Sequence, residues 1–381
     1  MMIIDAHEDI AYNALELERD FRVSAYTTRR REARKQLKVV GSDLDEANDT
    51  PPRDFAMSGL PDLRRGGFAV VFGVIFASPT QEETRKSLVS YRNVDEAYSV
   101  GQEQLAFYRQ LAEDPGISLI RSKQDLHEVL VAWEGTREDD SERPLGIVPL
   151  MEGADPIRIP AEVEDWFANG VRIVGLSWAK TRYCGGTFGL GPLTRSGRSL
   201  LSEMERVGMI LDTTHISEEG FWQALEHFHG PVIASHSNCR SLTMAKAQLS
   251  PERARVVSER HLSDEMIRAL AERGAVIGIV PFNAYLDASW SRDHRFDVGL
   301  EQMVQHIDHV CQLTGNALHV GLGSDIDGGF GRDETPVELD TVADLAKLGD
   351  ALRTAGYKEE DVANIMGGNW RRFLEQSLPT L

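Results

Sequence analysis

Cysteine is scarce. Cys184, Cys239 and Cys311 are the three in 381 residues, and an odd number cannot all pair within one chain, which argues against a secreted disulfide framework. Long apolar runs are missing too: the longest, Ala275 to Phe282, falls far short of the ~20 residues that span a bilayer. No basic segment followed by an apolar one precedes His7. Together these absences point to a soluble, cytoplasmic chain with no membrane partner. Positive charge is in deficit, with 41 Lys and Arg against 60 Asp and Glu and a net charge of −19. A phosphate-backbone partner would call for a basic footprint, so nucleic acid is excluded as an expected ligand. No G-x-G-x-x-G follows the first apolar run, which weakens a dinucleotide-binding reading.

What is present is a globular composition, 41% hydrophobic and 27% charged, on a chain long enough to bury a large core. Short β-branched runs alternate with helix-period stretches. The runs are Ile3 to Ala6, Ala69 to Phe76, Gly146 to Leu150, Arg172 to Leu176, Met209 to Leu211, Pro231 to Ala234, Ala275 to Val280 and Leu318 to Leu322. Helical segments include Val94 to Leu111, Leu200 to Val207, Glu218 to Phe228, Asp264 to Arg273 and Leu300 to Leu313. Gly170, Gly208, Gly230, Gly274 and Gly315 stand where helices should stop. Near-continuous apolar strands separated by helices imply a parallel sheet covered on both faces. Eight of them match a closed (β/α)8 TIM barrel spanning residues 1–381 as one domain; an open doubly wound sheet is the competitor. The connection from about residue 10 to 66 is far longer than the rest. It carries Arg29-Arg30-Arg31, read as a solvated helix face, and the turn-rich Asp49-Thr50-Pro51-Pro52. An insertion of that length is expected to hold its own helices and to act as a lid.

The polar residues have a positional logic. Strand one ends in Asp5-Ala6-His7-Glu8-Asp9 and strand three in Met151-Glu152-Gly153. Strand five leads to Asp212-Thr213-Thr214-His215, strand six to Ser235-His236-Ser237 and strand eight to Gly323-Ser324-Asp325. In a barrel all these ends converge on one face, where such enzymes place their chemistry. His7 and Asp9 are two apart, so in an extended segment both side chains leave on the same side. Each residue alone has a bland explanation, a capping Asp or a packed His. Three histidines and three carboxylates at five strand ends form a joint pattern that suits a borderline cation such as Zn²⁺, without excluding Mn²⁺ or Fe²⁺. His127, His227, His229, His294, His306 and His309 lack strand-end placement, and His319 begins strand eight at the opposite face. Lys180 as a carbamylated bridge and Cys239 as a soft ligand are minor possibilities.

These segments resemble the membrane (renal) dipeptidase family, the M19 metallopeptidases among the amidohydrolase-like barrels. The match runs through Ile4 to Asp9, Leu60-Pro61-Asp62-Leu63-Arg64-Arg65-Gly66-Gly67, Met151 to Ala154, Gly208 to Ser217, Pro231 to Asn238, Val320 to Gly328 and Gly368-Asn369-Trp370-Arg371-Arg372-Phe373. The resemblance implies a zinc-dependent dipeptidase in which His7 and Asp9 bind one ion, His215 and His236 the other, and Glu152 bridges both. A hydroxide between the metals would attack the peptide carbonyl. Asp325 would exchange protons with the nucleophilic water and the leaving amine, and Arg260 would hold the C-terminal carboxylate of a small L,L or L,D dipeptide. Family habit also suggests a homodimer. Two departures border the substrate. Leu176-Ser177-Trp178 stands where relatives carry a histidine against the substrate carbonyl, which makes Trp178 a candidate substrate contact. Val280 to Tyr285 also departs from the usual pattern. The departures leave open another small substrate for the same chemistry: a lactone, a cyclic amide or an N-acyl amino acid. Glu8 or Asp212 is a further candidate to meet a ligand's amino group.

Overall fold

Alternation of β-branched and aliphatic residues in short runs produces eight parallel strands that curve into a barrel in the computed structural model, which describes residues 1–40, 55–80, 87–137 and 142–380. The strands are β1 (Ile3–Glu8), β2 (Phe68–Phe76), β3 (Leu145–Glu152), β4 (Ile173–Gly175), β5 (Ile210–Asp212), β6 (Val232–Ile233), β7 (Ile277–Ile279) and β8 (Val320–Leu322). Their order around the sheet is β7-β8-β1-β2-β3-β4-β5-β6. A parallel bridge between Ala234 and Ile277 brings β6 back to β7. The ring is held there by Gly278 N donating to Ala234 O at 2.9 Å and Ser237 N to Gly278 O at 2.7 Å. The doubly wound alternative is thereby set aside.

Successive side chains of a strand face opposite ways, and the core divides accordingly. Ile4, Phe72, Val74, Val148, Leu150, Ile173, Ile210 and Ile233 fall in one cluster with Trp370 of the last helix. Their neighbours Ile3, Val71, Ile75, Ile147, Met151, Val174 and Leu211 pack with helix residues such as Leu105, Met204, Phe221 and Ile267. Both faces are therefore buried, which is why the strands read as unbroken apolar runs. Helices form where periodicity and caps agree. Asn93 caps Val94–Leu111, Thr194 caps Arg195–Val207 and Ser263 caps Asp264–Glu272. Gly208 and Gly315 close their helices in the left-handed region. Gly230 does not, since the helix Glu218–His227 ends through an extended Phe228.

The long first connection supplies helices Ile10–Leu15, Ala25–Val40 and Leu60–Gly66. Arg29 is not merely solvated: its Nε donates to Ala56 O at 2.6 Å and its guanidinium pairs with Asp340 at 3.0 Å. Arg31 is exposed. The lid expectation rests on the length of this connection, and its turn-rich Asp49 to Pro52 lie outside the described residues. Among the described residues no helix is long and apolar enough to cross a membrane.

Candidate metal centre

The C-terminal ends of the strands meet at one mouth, and local hydrogen bonds aim their side chains. Asp5 Oδ1 accepts from Ser324 N at 2.7 Å and Asp325 N donates to His7 O at 3.1 Å, so the ends of β1 and β8 are tied together. His215 and Asp325 adopt left-handed backbone, with φ of 65° and 54°. Such conformations are costly for non-glycine residues and concentrate at functional sites.

Six side chains from five strand ends come together: His7, Asp9, Glu152, His215 and His236 are buried, and Asp325 is partly exposed, its side chain at 13%. Glu152 stands in the middle. Its Oε1 lies 3.2 Å from His215 Nε2 and 3.4 Å from His236 Nε2, while its Oε2 lies 3.7 Å from His7 Nε2. His7 Nε2 is in turn 3.5 Å from Asp9 Oδ2 and 3.7 Å from Asp325 Oδ1. Two sets, His7/Asp9/Glu152 and Glu152/His215/His236, each place three ligand atoms within 4.8 Å of one another. Both ring nitrogens of His7 are buried without a hydrogen-bond partner, a state that normally has an explanation.

Neighbouring hydroxyls orient the other two imidazoles. Ser235 Oγ donates to Asp212 Oδ2 at 2.5 Å and stands 2.8 Å from His236 Nδ1. Since its single proton goes to the carboxylate, Ser235 accepts from Nδ1–H, and the Nε2 lone pair is left facing the centre. Thr187 Oγ1 plays the corresponding part 3.1 Å from His215 Nδ1.

Charge in this cluster is unbalanced. Burial, with the Asp9 charge, raises Glu152 to about 7 against the pull of His7. Burial disfavours the charged form of His7, but the Glu152, Asp9 and Asp325 carboxylates outweigh it and lift the imidazole to about 10. Burial also lifts Asp325 well above the ordinary carboxyl range, with Asp9 and Glu152 adding to the effect. His215 and His236 are pushed down by burial and by the positive groups nearby, so both are neutral with a free lone pair. Mixed imidazole and carboxylate donors, two of them neutral rings, fit a pair of divalent cations.

The centre opens into a cavity of about 280 Å³. Trp178 lines it, with Tyr12, Phe76, Phe188 and Tyr285. Arg260 does not reach the wall. It is buried at 4% exposure, its guanidinium has no hydrogen-bond partner among the described residues, and it stacks 4.5 Å over the Tyr285 ring. His261, which sequence reasoning gave no role, is buried beside it with both ring nitrogens unpartnered and its ring 4.9 Å edge-on to Tyr285. Glu8 turns away from this cavity: it accepts from Ser58 Oγ at 3.0 Å and faces a separate small cavity shared with Arg19 and Asp327. Asp212 is spent on Ser235 and Thr214. Neither lines the cavity at the centre, so the structure does not bring Glu8 or Asp212 to a ligand's amino group there. Lys180 is exposed, and the Cys239 thiol contacts His306 O.

A family model for membrane dipeptidase (peptidase family M19) matches residues 1–378. An uncharacterised protein in the pqqA 5′ region of Klebsiella pneumoniae is 32% identical over 285 residues, 72% of this chain and 94% of its own. A solved dipeptidase of family M19 superposes with a TM-score of 0.72 at 22% identity, covering 99% of both chains. A metallopeptidase from Rhodobacter sphaeroides, solved with a phosphinate mimic of L-Ala-D-Ala, gives 0.72 at 21% identity over 99% of each chain. At these identities the structural likeness speaks for the fold.

Proposed function

Because the chain belongs to the membrane dipeptidase family, the metal-dependent dipeptidases of peptidase family M19, we propose that it hydrolyses small dipeptides at a dinuclear centre, with zinc as the resident ion. One observation carries this reading: the two oxygens of Glu152 face different donor groups, Oε1 the pair His215 and His236, Oε2 the group of His7 and Asp9. In this reading His7 and Asp9 hold one ion, His215 and His236 the other, and Glu152 both. When bound, such a pair lowers the pKa of water from about 16 toward 7 and polarises an amide carbonyl.

The chain's own residues do the rest. Asp325 takes the proton of the attacking water and returns it to the departing amine, without which the tetrahedral adduct would revert. Asp212 and Ser235 hold His236, and Thr187 holds His215, in the tautomer that keeps Nε2 unprotonated. Arg260 offers a buried, unpaired guanidinium to the substrate's carboxylate. Reaching it requires movement past the Tyr285 ring.

The test is a dipeptide library on metal-defined protein, with L,L and L,D members. The relative solved with an L-Ala-D-Ala mimic supports including the latter. Zinc-loaded enzyme should turn over members of both series, and Glu152→Gln should lose activity together with about two equivalents of bound metal. Full dipeptidase activity in the metal-stripped protein would refute the reading. Activity confined to lactones, cyclic amides or N-acyl amino acids would move the substrate, in keeping with Trp178, while leaving the centre in place.

A further inference from the structure

Four aromatic side chains line one arc of the cavity, and none of them has a part in the chemistry. Phe76 and Trp178 meet edge to face with ring centroids 5.2 Å apart, Trp178 and Phe188 lie 4.6 Å apart, and Tyr12 stands edge-on to Phe76 at 6.5 Å. All four border the same cavity as Glu152, His215 and Asp325. Phe188 is 52% exposed. A large ring left open at the rim of a cavity, against the Trp178 ring, offers apolar surface that a ligand can cover.

Phe188 is held there rigidly. Gly186 and Gly189 exchange backbone hydrogen bonds at 2.9 and 3.1 Å, closing a tight turn around Thr187 and Phe188. A Cβ on Gly186 would lie 2.0 Å from Ala179 O, so this close approach needs glycine. Thr187 N donates to His215 O at 2.9 Å and its hydroxyl meets His215 Nδ1. The turn that steadies a candidate metal ligand thus also sets the position of the outermost ring.

Position around the barrel assigns the arc. Tyr12 follows β1, Phe76 ends β2, and Trp178 and Phe188 follow β4, whereas Arg260 follows β6 and Tyr285 follows β7. With the order β1-β2-β3-β4-β5-β6-β7-β8, the aromatic arc and the arginine lie on opposite sides of the mouth. His215, after β5, stands between them, and Glu152, on β3, stands within the span of the arc. A dipeptide whose carboxylate is drawn toward Arg260 and whose amide lies at the centre extends its first residue along the rings.

We propose that Tyr12, Phe76, Trp178 and Phe188 form a specificity pocket for a large apolar or aromatic side chain on the residue N-terminal to the cleaved bond. This deepens the dipeptidase reading and rests on it. The four rings make this arc apolar, which is the ground for assigning an apolar occupant; the Glu16 carboxylate at the rim, which accepts from Leu88 N at 2.6 Å, is the group that would draw a cationic one instead. Trp178, which touches both Phe76 and Phe188, is here a specificity-determining residue.

The experiment compares kcat/KM for Phe-Ala, Gly-Ala, Lys-Ala and Ala-Phe on zinc-loaded enzyme. Phe-Ala should exceed Gly-Ala by about tenfold or more, the scale set by filling an apolar pocket. In Trp178→Ala and Phe188→Ala that ratio should collapse toward one, and Trp178→Phe should retain most of it. Using the ratio cancels any general loss of activity. Calorimetric binding of phosphinate dipeptide mimics bearing Phe or Ala at the first position should show the same preference and the same loss. A ratio untouched by both alanine variants, a preference for Lys-Ala, or an effect falling on Ala-Phe instead would overturn the pocket and leave the dipeptidase reading standing. No turnover of any dipeptide would overturn both.

Discussion

Gly328 shows how little room the centre leaves. A Cβ at this position would lie 2.1 Å from Asp325 Oδ1 and 2.6 Å from Asp9 Oδ2. Gly328→Ala must therefore displace both carboxylates, and a displacement near 1 Å at a reacting centre costs on the order of 10²-fold in rate. The variant should fold, as judged by circular dichroism, yet show that loss together with reduced bound metal. Asp325→Asn separates placement from proton transfer, since the amide keeps the shape and loses the proton exchange. Its kcat should fall about 10²- to 10⁴-fold with metal content retained; an unchanged kcat would remove Asp325 from the proton path. At this scale, legibility in the sequence followed from locality. His7, Asp9, Glu152, His215, His236 and Asp325 each stand directly after an apolar run, so a barrel predicts that they meet. His261 carries no such mark, and Tyr285 is marked only by the segment Val280 to Tyr285 that departs from the family pattern. What makes them part of the site's surroundings is contact with Arg260, and only the folded chain brings those rings together.

Short segments, not whole helices, set the geometry around the centre. Thr187 belongs to the glycine turn and touches His215, 28 residues further on. Removing its hydroxyl with Thr187→Val leaves Nδ1 without its partner. Metal affinity should then fall about 10- to 100-fold, the usual cost of losing such a support, read by competition with a chelator. A second segment is the two-residue ladder of Ser78–Pro79 with Ser90–Tyr91, which edges the cavity. Its Tyr91 hydroxyl donates to Asp155. Burial lifts Asp155 from 3.8 to about 6 in spite of that donor and Arg182. Its folded pKa exceeds the unfolded one, so folding binds a proton between pH 4 and 6 and stability rises as pH falls through that window. The penalty above pH 6 amounts to about 3 kcal/mol, from roughly two pKa units. Urea unfolding of the wild type and of Asp155→Asn should differ by up to that amount more at pH 7 than at pH 4. A difference independent of pH would show the carboxyl to be unstrained. These segments were illegible beforehand because periodicity reports strands and helices, and turns of two to five residues have none. The same limit explains Gly230. Its position after a periodic run marks it as a stop, but the helix ends at His227, three residues earlier, through an extended Phe228.

At the scale of the molecule, barrel closure forces carboxylates and imidazoles from distant parts of the chain into one buried cluster, and the protonation of that cluster becomes a property of the fold. With no cation present, burial and mutual repulsion lift Glu152 to about 7, and the surrounding carboxylates hold a proton on His7 up to about 10. The signs run the same way. Glu152 is raised above its unfolded value near 4.5, so it favours the metal-free fold at low pH, and that contribution is lost as pH rises through 7. The His7 contribution is fully present below 6.5 and is lost as pH rises through 10. A cation competes for these same atoms. Loading the centre must expel the His7 proton and, below about pH 7, the Glu152 proton too, so apparent affinity weakens by about tenfold per pH unit for each proton released. Stabilisation by a bound ion grows with the logarithm of its concentration over Kd, so acid erodes it: the protons that stabilise the metal-free fold are the ones that weaken apparent binding. Thermal denaturation of loaded and chelator-stripped protein at fixed zinc should therefore show a wider gap in midpoint at pH 8 than at any lower pH. That gap should narrow steadily and be nearly closed by pH 5. In Glu152→Gln, which loses the metal, the gap should be absent across the whole range. A gap of constant width across the range would mean that the ions are held by groups other than Glu152 and His7.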